Sequence, residues 1–375
     1  MNFSSEPPSK PALTMNAQLH HFGAPASAPA FAPRAVKAAA PFLRRLALLL
    51  TLTALLAAPA RAAEKQVRIN LGTLAPRGST YLQSLQQMKA KWEPAGVRLV
   101  IYPDGAQGGE ADMIRLMNIG TLQAGFLTGV GLSDIEPRVA GLQSVPMLFR
   151  DFAEYDYVSA KLQPTMEKHL EAKGFVVLFW ADAGWVRYFA KQPFETPDDL
   201  RKRKVFVWAG NPHQVNILKK HGFNPVPLET AEILPMLKRD TINAVSCPPI
   251  FALAGQLDTD LKFMIELNWA PLLGACVVKK DAWEKIPAET RAKLLEAARV
   301  AGAEIRENGR KEADRSVEAM KKRGLTVKSV SPELEALWRA EAEKVYPDLR
   351  GSIVPEDVFD EAQQLIREYR AGRQP

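Results

Sequence analysis

The sequence predicts an α/β fold, because strand-like and helix-like segments alternate along it. Alternating apolar patterns at residues 66–74 and 97–102 are each followed by a segment of helical periodicity, at residues 81–92 and 110–119. Alternation of this kind is typical of a mainly parallel sheet covered by helices. The chain has 375 residues, which is enough for two domains.

A second α/β unit is predicted after about Gly184. Apolar runs typical of buried strands recur after the first two units, and a short helical pattern lies between two of them. Strands are predicted at residues 122–130 and 175–180, before Gly184, and at residues 204–208 and 244–246, after it; the short helix is 215–221.

The C-terminal part is predicted to be helical. Residues 287–323 are rich in Ala, Glu, Lys and Arg, and their apolar positions recur at helical spacing, which indicates one or two long amphipathic helices. Further helices are expected at residues 333–345 and 358–369.

Residues 34–63 have the features of a secretory signal peptide. Arg44 and Arg45 precede an uncharged apolar run of about 13 residues, and Ala60-Arg61-Ala62 fits the small-x-small cleavage rule. We therefore expect residues 1–62 to be an N-terminal extension with a cleaved signal and the mature chain to be periplasmic. A retained signal anchor is the alternative, although the apolar run is short for a bilayer span.

The net charge of the mature chain does not indicate nucleic-acid binding. Residues 1–62 hold six cations and one anion, so their removal lowers the formal net charge of +7 to +2. Residues 201–204 are four consecutive cations, which we interpret as a solvated turn between a helix and a strand.

Two cysteines remain after the leader, Cys247 and Cys276. An oxidising compartment permits a disulfide between them. Both lie in apolar runs, which favours two separate buried thiols. Their spacing does not suggest a metal site.

Catalytic motifs are absent from the sequence. It contains no G-x-S-x-G, H-E-x-x-H or C-x-x-C pattern, and the only histidines after the leader are His169, His213 and His221. No metal site and no cofactor are therefore expected. Catalytic groups can still assemble from distant positions, so an enzyme with Cys247 as nucleophile and His213 as base stays open.

Several short stretches occur in an order that resembles one family. From about residue 66 to the C-terminus, the chain resembles the extracytoplasmic solute receptors of TRAP transporters, of the DctP type. The stretches are Leu71-Gly72-Thr73, Gly108-Gly109-Glu110, Asn118-Ile119-Gly120-Thr121-Leu122, Val145-Pro146-Met147-Leu148-Phe149, Gly184-Trp185-Val186-Arg187 and Pro193-Phe194-Glu195-Thr196-Pro197-Asp198-Asp199-Leu200.

The resemblance implies a periplasmic-binding-protein fold of two α/β lobes around a ligand cleft, with long C-terminal helices. We expect lobe I at residues 63–184, completed by about 274–312, and lobe II at 185–273, completed by helices at about 313–375. It also implies a small organic solute that is delivered to a small and a large membrane subunit, with uptake driven by an ion gradient.

The resemblance also implies where the ligand binds. The family's clamp arginine falls at Phe206 and its cleft asparagine at Cys247, whereas Arg187 matches a second family arginine. Trp185 and Trp208 lie beside these positions, and Thr73 belongs to the first matching stretch. This pattern looks like the branch without the clamp arginine, some members of which are associated with a tetratricopeptide-repeat partner protein.

An apolar or weakly acidic ligand is expected, since Phe and Cys replace Arg and Asn. Structural roles are open for the same residues: both tryptophans and Phe206 suit a core, and Arg187 suits an ion pair. Three functions remain, namely a transport receptor without turnover, an exported enzyme, and a sensory or partner-binding protein on the same fold.

Overall fold

The computed structural model describes residues 66–209 and 212–372, except for the Ala140 side chain. The predicted signal peptide and N-terminal extension lie outside these residues.

The first half of the fold is a sheet in the order β2-β1-β3-β9-β4. β1 pairs in parallel with β2 and β3, whereas β3 and β4 both pair antiparallel with β9. The strands are β1 (Val67–Thr73), β2 (Val97–Tyr102), β3 (Ala124–Thr128), β4 (Phe175–Ala190) and β9 (Ala270–Lys279).

The second half continues from β4 in the order β4-β7-β5-β6. β5 pairs in parallel with β6 and β7, and β4 pairs antiparallel with β7. β8 pairs with β4 and with β10. The strands are β5 (Lys204–Trp208), β6 (Asn224–Leu228), β7 (Ala244–Cys247), β8 (Phe263–Ile265) and β10 (Thr326–Lys328).

β4 is shared by both halves. It pairs with β9 from Phe175 to Val186 and with β7 from Arg187 to Ala190. The register with β9 shifts between Asp182 and Trp185, where Gly184 has a φ of 82° that side chains rarely tolerate. One strand with a local irregularity therefore carries the backbone from the first half to the second.

Helices cover both halves. They are α1 (Thr80–Trp92), α2 (Glu110–Asn118), α3 (Gly129–Ile135), α4 (Pro137–Ala140), α5 (Phe152–Ala172), α6 (Pro197–Arg201), α7 (Pro212–Lys220), α8 (Ile233–Lys238), α9 (Pro249–Ala254), α10 (Lys280–Trp283), α11 (Ala288–Lys322), α12 (Pro332–Glu343), α13 (Tyr346–Leu349) and α14 (Glu356–Ala371).

The segment at residues 287–323 is one helix of 35 residues, α11. Its buried side chains follow helical spacing, and they pack into the core of each half: Ala298 and Ile305 in the first, Met320 in the second. α11 thus spans both halves, as β4 does.

The prediction of a mainly parallel sheet is wrong, because the sheet contains both parallel and antiparallel strand pairs. β4 and β9 introduce long antiparallel ladders, and neither full-length strand is in the prediction. The α/β class is confirmed, and so is the turn at residues 201–204, which joins α6 to β5. The lobe boundaries stay a prediction.

Candidate ligand cleft

A cavity with about 400 Å³ of empty space, open solvent included, lies at the carboxyl ends of β1 and β3, beside the irregular part of β4. Ligands of open α/β sheets bind at this kind of edge. Its lining is Thr73, Leu74, Ala75, Tyr81, Phe126, Leu127, Thr128, Ala181, Asp182, Ala183, Phe251, Leu272, Leu273 and Gly274.

The lining is mainly apolar. Only Thr73, Tyr81, Thr128 and Asp182 among its fourteen residues have polar side chains, and no lysine, arginine or histidine contributes to it. An apolar lining with few polar groups favours a ligand whose body is apolar.

Phe251 brings the second half of the fold to the cavity. It follows β7 on the short helix α9, and it packs against the buried clusters of both halves. The rest of the lining belongs to β1, β3, β4, β9 and the segments next to them, and Phe126 contacts Phe179 with ring centroids 5.5 Å apart. A ligand here would contact both halves of the fold.

Helix α1 positions Tyr81. Ser79 caps the helix by accepting a hydrogen bond from the Leu82 N–H, and Thr80 donates through Oγ1 to Glu312 on α11. The first turn of α1 is thereby bonded both to its own cap and to the long helix. Tyr81 is 3% exposed.

The Tyr81 hydroxyl has no hydrogen-bond partner among the described residues. It lies against Gly309 of α11, where a Cβ atom would approach Oη to 2.5 Å. Burial first, then the negative charges of Asp182 and Glu312, raise the pKa of Tyr81 well above its usual value. The hydroxyl therefore keeps its proton and remains a hydrogen-bond donor.

The other polar lining groups have partners. Thr73 Oγ1 accepts from the Ala75 N–H at 3.1 Å. Thr128 Oγ1 donates to Glu110 at 2.7 Å, and Glu110 also accepts from the Gly131 N–H at 3.0 Å. Glu110, from the Gly-Gly-Glu stretch, thus fixes the turn between β3 and α3. Burial is the largest influence on the pKa of Glu110 and raises it.

Asp182 is paired with Arg310 of α11. The closest contact is Nη2–Oδ2 at 2.7 Å, and the Asp182 side chain is 1% exposed. Arg310 also bonds Asp156 at 2.7 Å and lies over the Phe152 ring. Burial raises the pKa of Asp182, although Arg310 opposes this. The single cation is shared by two carboxylates, so none of its charge is left for a ligand.

Four residues expected at the site share one face of the second half. Arg187 of β4 is paired with Cys247 of β7. Phe206 and Trp208, two residues apart on the adjacent strand β5, point to the same face as this pair. The Phe206 and Trp208 rings are 5.1 Å apart. Phe251 packs against the same cluster.

Within that face, the residues are closely packed. Phe206 is fully buried, and Cys247 is 5% exposed. The Arg187 side chain is 15% exposed, with Nη1 4.0 Å from Glu266. Burial lowers the pKa of Arg187, and Glu266 opposes the shift. None of the four lines the 400 Å³ cavity.

The remaining two expected residues lie apart from that face. Thr73 lines the cavity at the end of β1. Trp185 is 7% exposed and packs against Phe152, with ring centroids 4.9 Å apart, in the core of the first half.

Cys247 and Cys276 are free, buried thiols, as the sequence favours. Burial raises the pKa of Cys247 to about 12, and that of Cys276 is also raised. His213 is exposed on α7. A thiolate nucleophile near neutral pH is therefore disfavoured at Cys247.

The sequence prediction does not include Tyr81, Asp182 or Phe251. Tyr81 follows a Ser-Thr pair that can start a helix, and Phe251 follows the Pro248-Pro249 turn after a predicted strand. Those two signals place both residues near strand ends. Asp182 had no signal, because its importance depends on Arg310, 128 positions later.

A second cavity lies on the other face of the second half. Tyr188, Val207 and Ser246 line it; on their strands they point to the side opposite Arg187. Trp269 and Trp338 also line it. Within residues 66–209 and 212–372, no group of acidic, His and Cys side chains could hold a metal ion. Helices long and apolar enough to cross a membrane are likewise absent from this part of the chain.

Relatives with a known binding activity share part of the sequence. The chain is 27% identical over 247 residues to the 2,3-diketo-L-gulonate-binding periplasmic protein YiaO of Escherichia coli strain K12, covering 65% of this chain and 73% of that protein. It is 21% identical over 280 residues to the C4-dicarboxylate-binding periplasmic protein DctP of Rhodobacter capsulatus, covering 73% of this chain and 82% of that one.

Solved structures share the fold. A TRAP periplasmic solute-binding protein from Ralstonia eutropha H16 with bound (S)-2-acetolactate superimposes with a TM-score of 0.74 at 20% identity, covering 80% of this chain and 99% of that one. The Bordetella pertussis receptor DctP7, which binds pyroglutamic acid, gives 0.72 at 17% identity with the same coverage. The two-lobed periplasmic-binding-protein architecture is therefore confirmed.

The family model for bacterial extracellular solute-binding proteins of family 7, DctP, matches residues 71–351. This span includes the carboxyl end of β1 and all of β3, β4 and β9, which build the cavity, and α9, which contributes Phe251. The chain therefore belongs to the DctP family of TRAP-type solute-binding proteins.

Proposed function

We propose that this chain is a periplasmic receptor that captures a small, mainly apolar organic solute and delivers it to the small and large membrane subunits of a TRAP transporter. The observation that carries the proposal is the 400 Å³ cavity, whose lining comes from both halves of the fold. A solute that contacts both halves binds the closed arrangement better than an open one, which is how such receptors report occupancy.

The solute is apolar or weakly acidic. Relatives with bound ligands take organic acids, such as D-glucuronate in the Pseudomonas putida F1 protein and succinate in the Sulfurospirillum deleyianum protein. In the present chain, the cavity has no cationic lining group, and Arg310 is already shared by two carboxylates. A dicarboxylate would be desolvated there without a counter-charge, which is costly.

We assign Thr73 to the cavity wall. Phe206, Trp208 and Cys247 belong to the apolar cluster against which Phe251 packs, and Arg187 lies opposite Cys247 on the same face, so these four residues support the cavity wall from behind. Trp185 supports the first-half core next to the irregular strand. This arrangement fits the branch without the clamp arginine.

Native mass spectrometry of residues 63–375, purified from a periplasmic extract, tests the receptor function. Denaturation then releases the bound molecule for identification. A stoichiometric small organic solute, recovered unchanged, supports a receptor without turnover. A chemically altered product would favour the enzyme alternative, and a protein that binds nothing in this test and in a thermal-shift screen would contradict the proposal.

Export and partners are separate parts of the proposal. N-terminal sequencing of the exported protein should begin at Ala63 if the signal peptide is cleaved after Ala62. Pull-down from a solubilised membrane fraction should recover the TRAP membrane subunits only with solute present. The tetratricopeptide-repeat partner rests on the resemblance alone, and the same pull-down from the periplasmic fraction tests it.

A further inference from the structure

Glu229 of the second half lies against the first turn of a helix in the first half. A Cβ atom added to Gly109, the residue before α2, would be 3.2 Å from Glu229 Oε2. Glu229 directly follows β6, whereas Gly109 belongs to the segment between β2 and α2. The two halves of the fold therefore approach each other at this point.

The segment that ends at Gly109 is bonded to the cavity wall. The Asp104 N–H donates to the Ala75 carbonyl at 3.2 Å, and the Gly105 N–H donates to the Thr73 carbonyl at 3.0 Å. Thr73 and Ala75 both line the cavity. The contact between the two halves therefore lies beside the cavity.

The backbone around Glu229 is fixed from the second half. The Glu229 N–H donates to the Glu232 carboxylate at 2.8 Å. The Trp208 indole N–H donates to the hydroxyl of the next residue, Thr230, at 3.4 Å. These bonds hold the start of the Glu229 side chain in place at the end of β6.

Helix α2 has no side-chain cap within the described residues, because its N-cap residue is Gly109. The two carboxylates of its first turn have other partners: Glu110 bonds Thr128, and Asp112 pairs with Arg115 at 3.2 Å. The first N–H groups of a helix have no partner within the helix, and its N-terminus favours a negative charge. The carboxylate from the second half supplies that charge.

We propose that Glu229 is a latch: its carboxylate caps α2 beside the cavity and holds the two halves together before a solute binds. The inference rests on the proposed receptor function and adds a residue that controls closure. A receptor that is already partly closed binds its solute more tightly, because less of the binding free energy is needed to close it.

Spin labels measure closure directly. Lys91→Cys on α1 and Lys238→Cys on α8 place one exposed label on each half, and the two native cysteines are buried. The labelled mature protein is freed of solute by unfolding and refolding, and pulsed EPR gives the ratio of short to long label distances. Glu229→Gln should lower this ratio roughly two- to five-fold, the effect of one carboxylate at a helix N-terminus.

Two further variants separate the latch from general effects. Gly109→Ser gives α2 a cap from its own half and displaces the Glu229 carboxylate, so it should lower the ratio without destabilising the fold. Glu195→Gln removes an equal charge whose partner, Lys328, lies in the same half, and it should leave the ratio unchanged. Thermal unfolding confirms that each variant is folded. A higher ionic strength should lower the ratio in the wild type but not in Glu229→Gln.

Three outcomes would overturn the inference. They are a solute-free wild-type protein without a population at short distance, an unchanged ratio in Glu229→Gln or in Gly109→Ser, and an equal decrease in Glu195→Gln. Failure of the latch leaves the receptor function intact, because recovery of a bound solute by native mass spectrometry does not depend on it. The receptor function fails only if native mass spectrometry and thermal-shift screening find no solute, whatever the label distances are.

Discussion

Arg310 of α11 and Asp182 of β4 form an ion pair on the wall of the cavity, 128 positions apart in the sequence. The carboxylate is 1% exposed, and three Arg310–Asp182 hydrogen bonds of 2.7 to 3.2 Å join the groups. The pair connects the two elements that span both halves of the fold, next to the irregular residues of β4. Its integrity should therefore affect both stability and binding.

Asp182→Asn should lower the free energy of unfolding by about 3 kcal/mol, because it removes one partner of a buried ion pair. Asp156→Asn is the matched control: Asp156 bonds the same arginine but is 45% exposed, so the expected loss is about 0.5 kcal/mol. Urea unfolding of both variants gives the comparison. Equal losses would contradict the importance assigned to the buried partner.

Phe251→Ala should weaken the bound solute by about 1.5 kcal/mol, since the ring is the contribution of the second half to the cavity. The effect should be the same for neutral and acidic solutes, because no charge is removed. Phe263→Ala, on β8 and outside the cavity lining, is the control and should leave the affinity unchanged. Similar losses in both variants would show a general effect on the fold.

Arg187→Ala should leave the affinities for a monoacidic and for an apolar solute nearly unchanged, because Arg187 does not line the cavity and is paired with Glu266 on the neighbouring face. Glu266→Gln should likewise leave both affinities unchanged. Titration calorimetry with one solute of each class is the measurement. A selective loss of the acidic solute in Arg187→Ala, by about 1.5 to 3 kcal/mol, would instead place the guanidinium against the ligand.

The two buried thiols predict resistance to labelling and a pH dependence. A thiol reagent should not modify the native protein at pH 7 to 9, and it should modify two cysteines after unfolding. A thiol whose pKa is higher in the folded than in the unfolded state favours folding below the unfolded value, about 8.5. That contribution disappears as the pH rises through about 12 for Cys247.

Cys247→Ala should accordingly reduce the loss of stability seen between pH 9 and 11, and it should leave solute binding unchanged. Rapid labelling of native Cys247, or a reaction that disappears in Cys247→Ala, would favour the enzyme alternative.

The sequence predicts best the strands and helices whose limits are marked by neighbouring residues. The sequence predicts β5 at residues 204–208, the observed limits, because a short apolar run between a cationic turn and a Gly-Asn pair has few alternatives. The limits of α11 are predicted to within one residue, because its apolar positions recur at helical spacing, but the pattern left one or two helices open and the structure has one. β9 is missing from the prediction, because a continuous apolar run suits a buried strand or a buried helix.

Sequence alone determined the α/β class, the helical character of the C-terminal part and the resemblance to solute receptors, since each depends on neighbouring residues or on stretches in fixed order. Only the tertiary structure decided that the sheet is mixed, that β4 joins both halves, and that Tyr81, Asp182 and Phe251 meet at one cavity. These features depend on strand register and on contacts between residues such as Asp182 and Arg310, and no local pattern encodes which distant partner a side chain will meet.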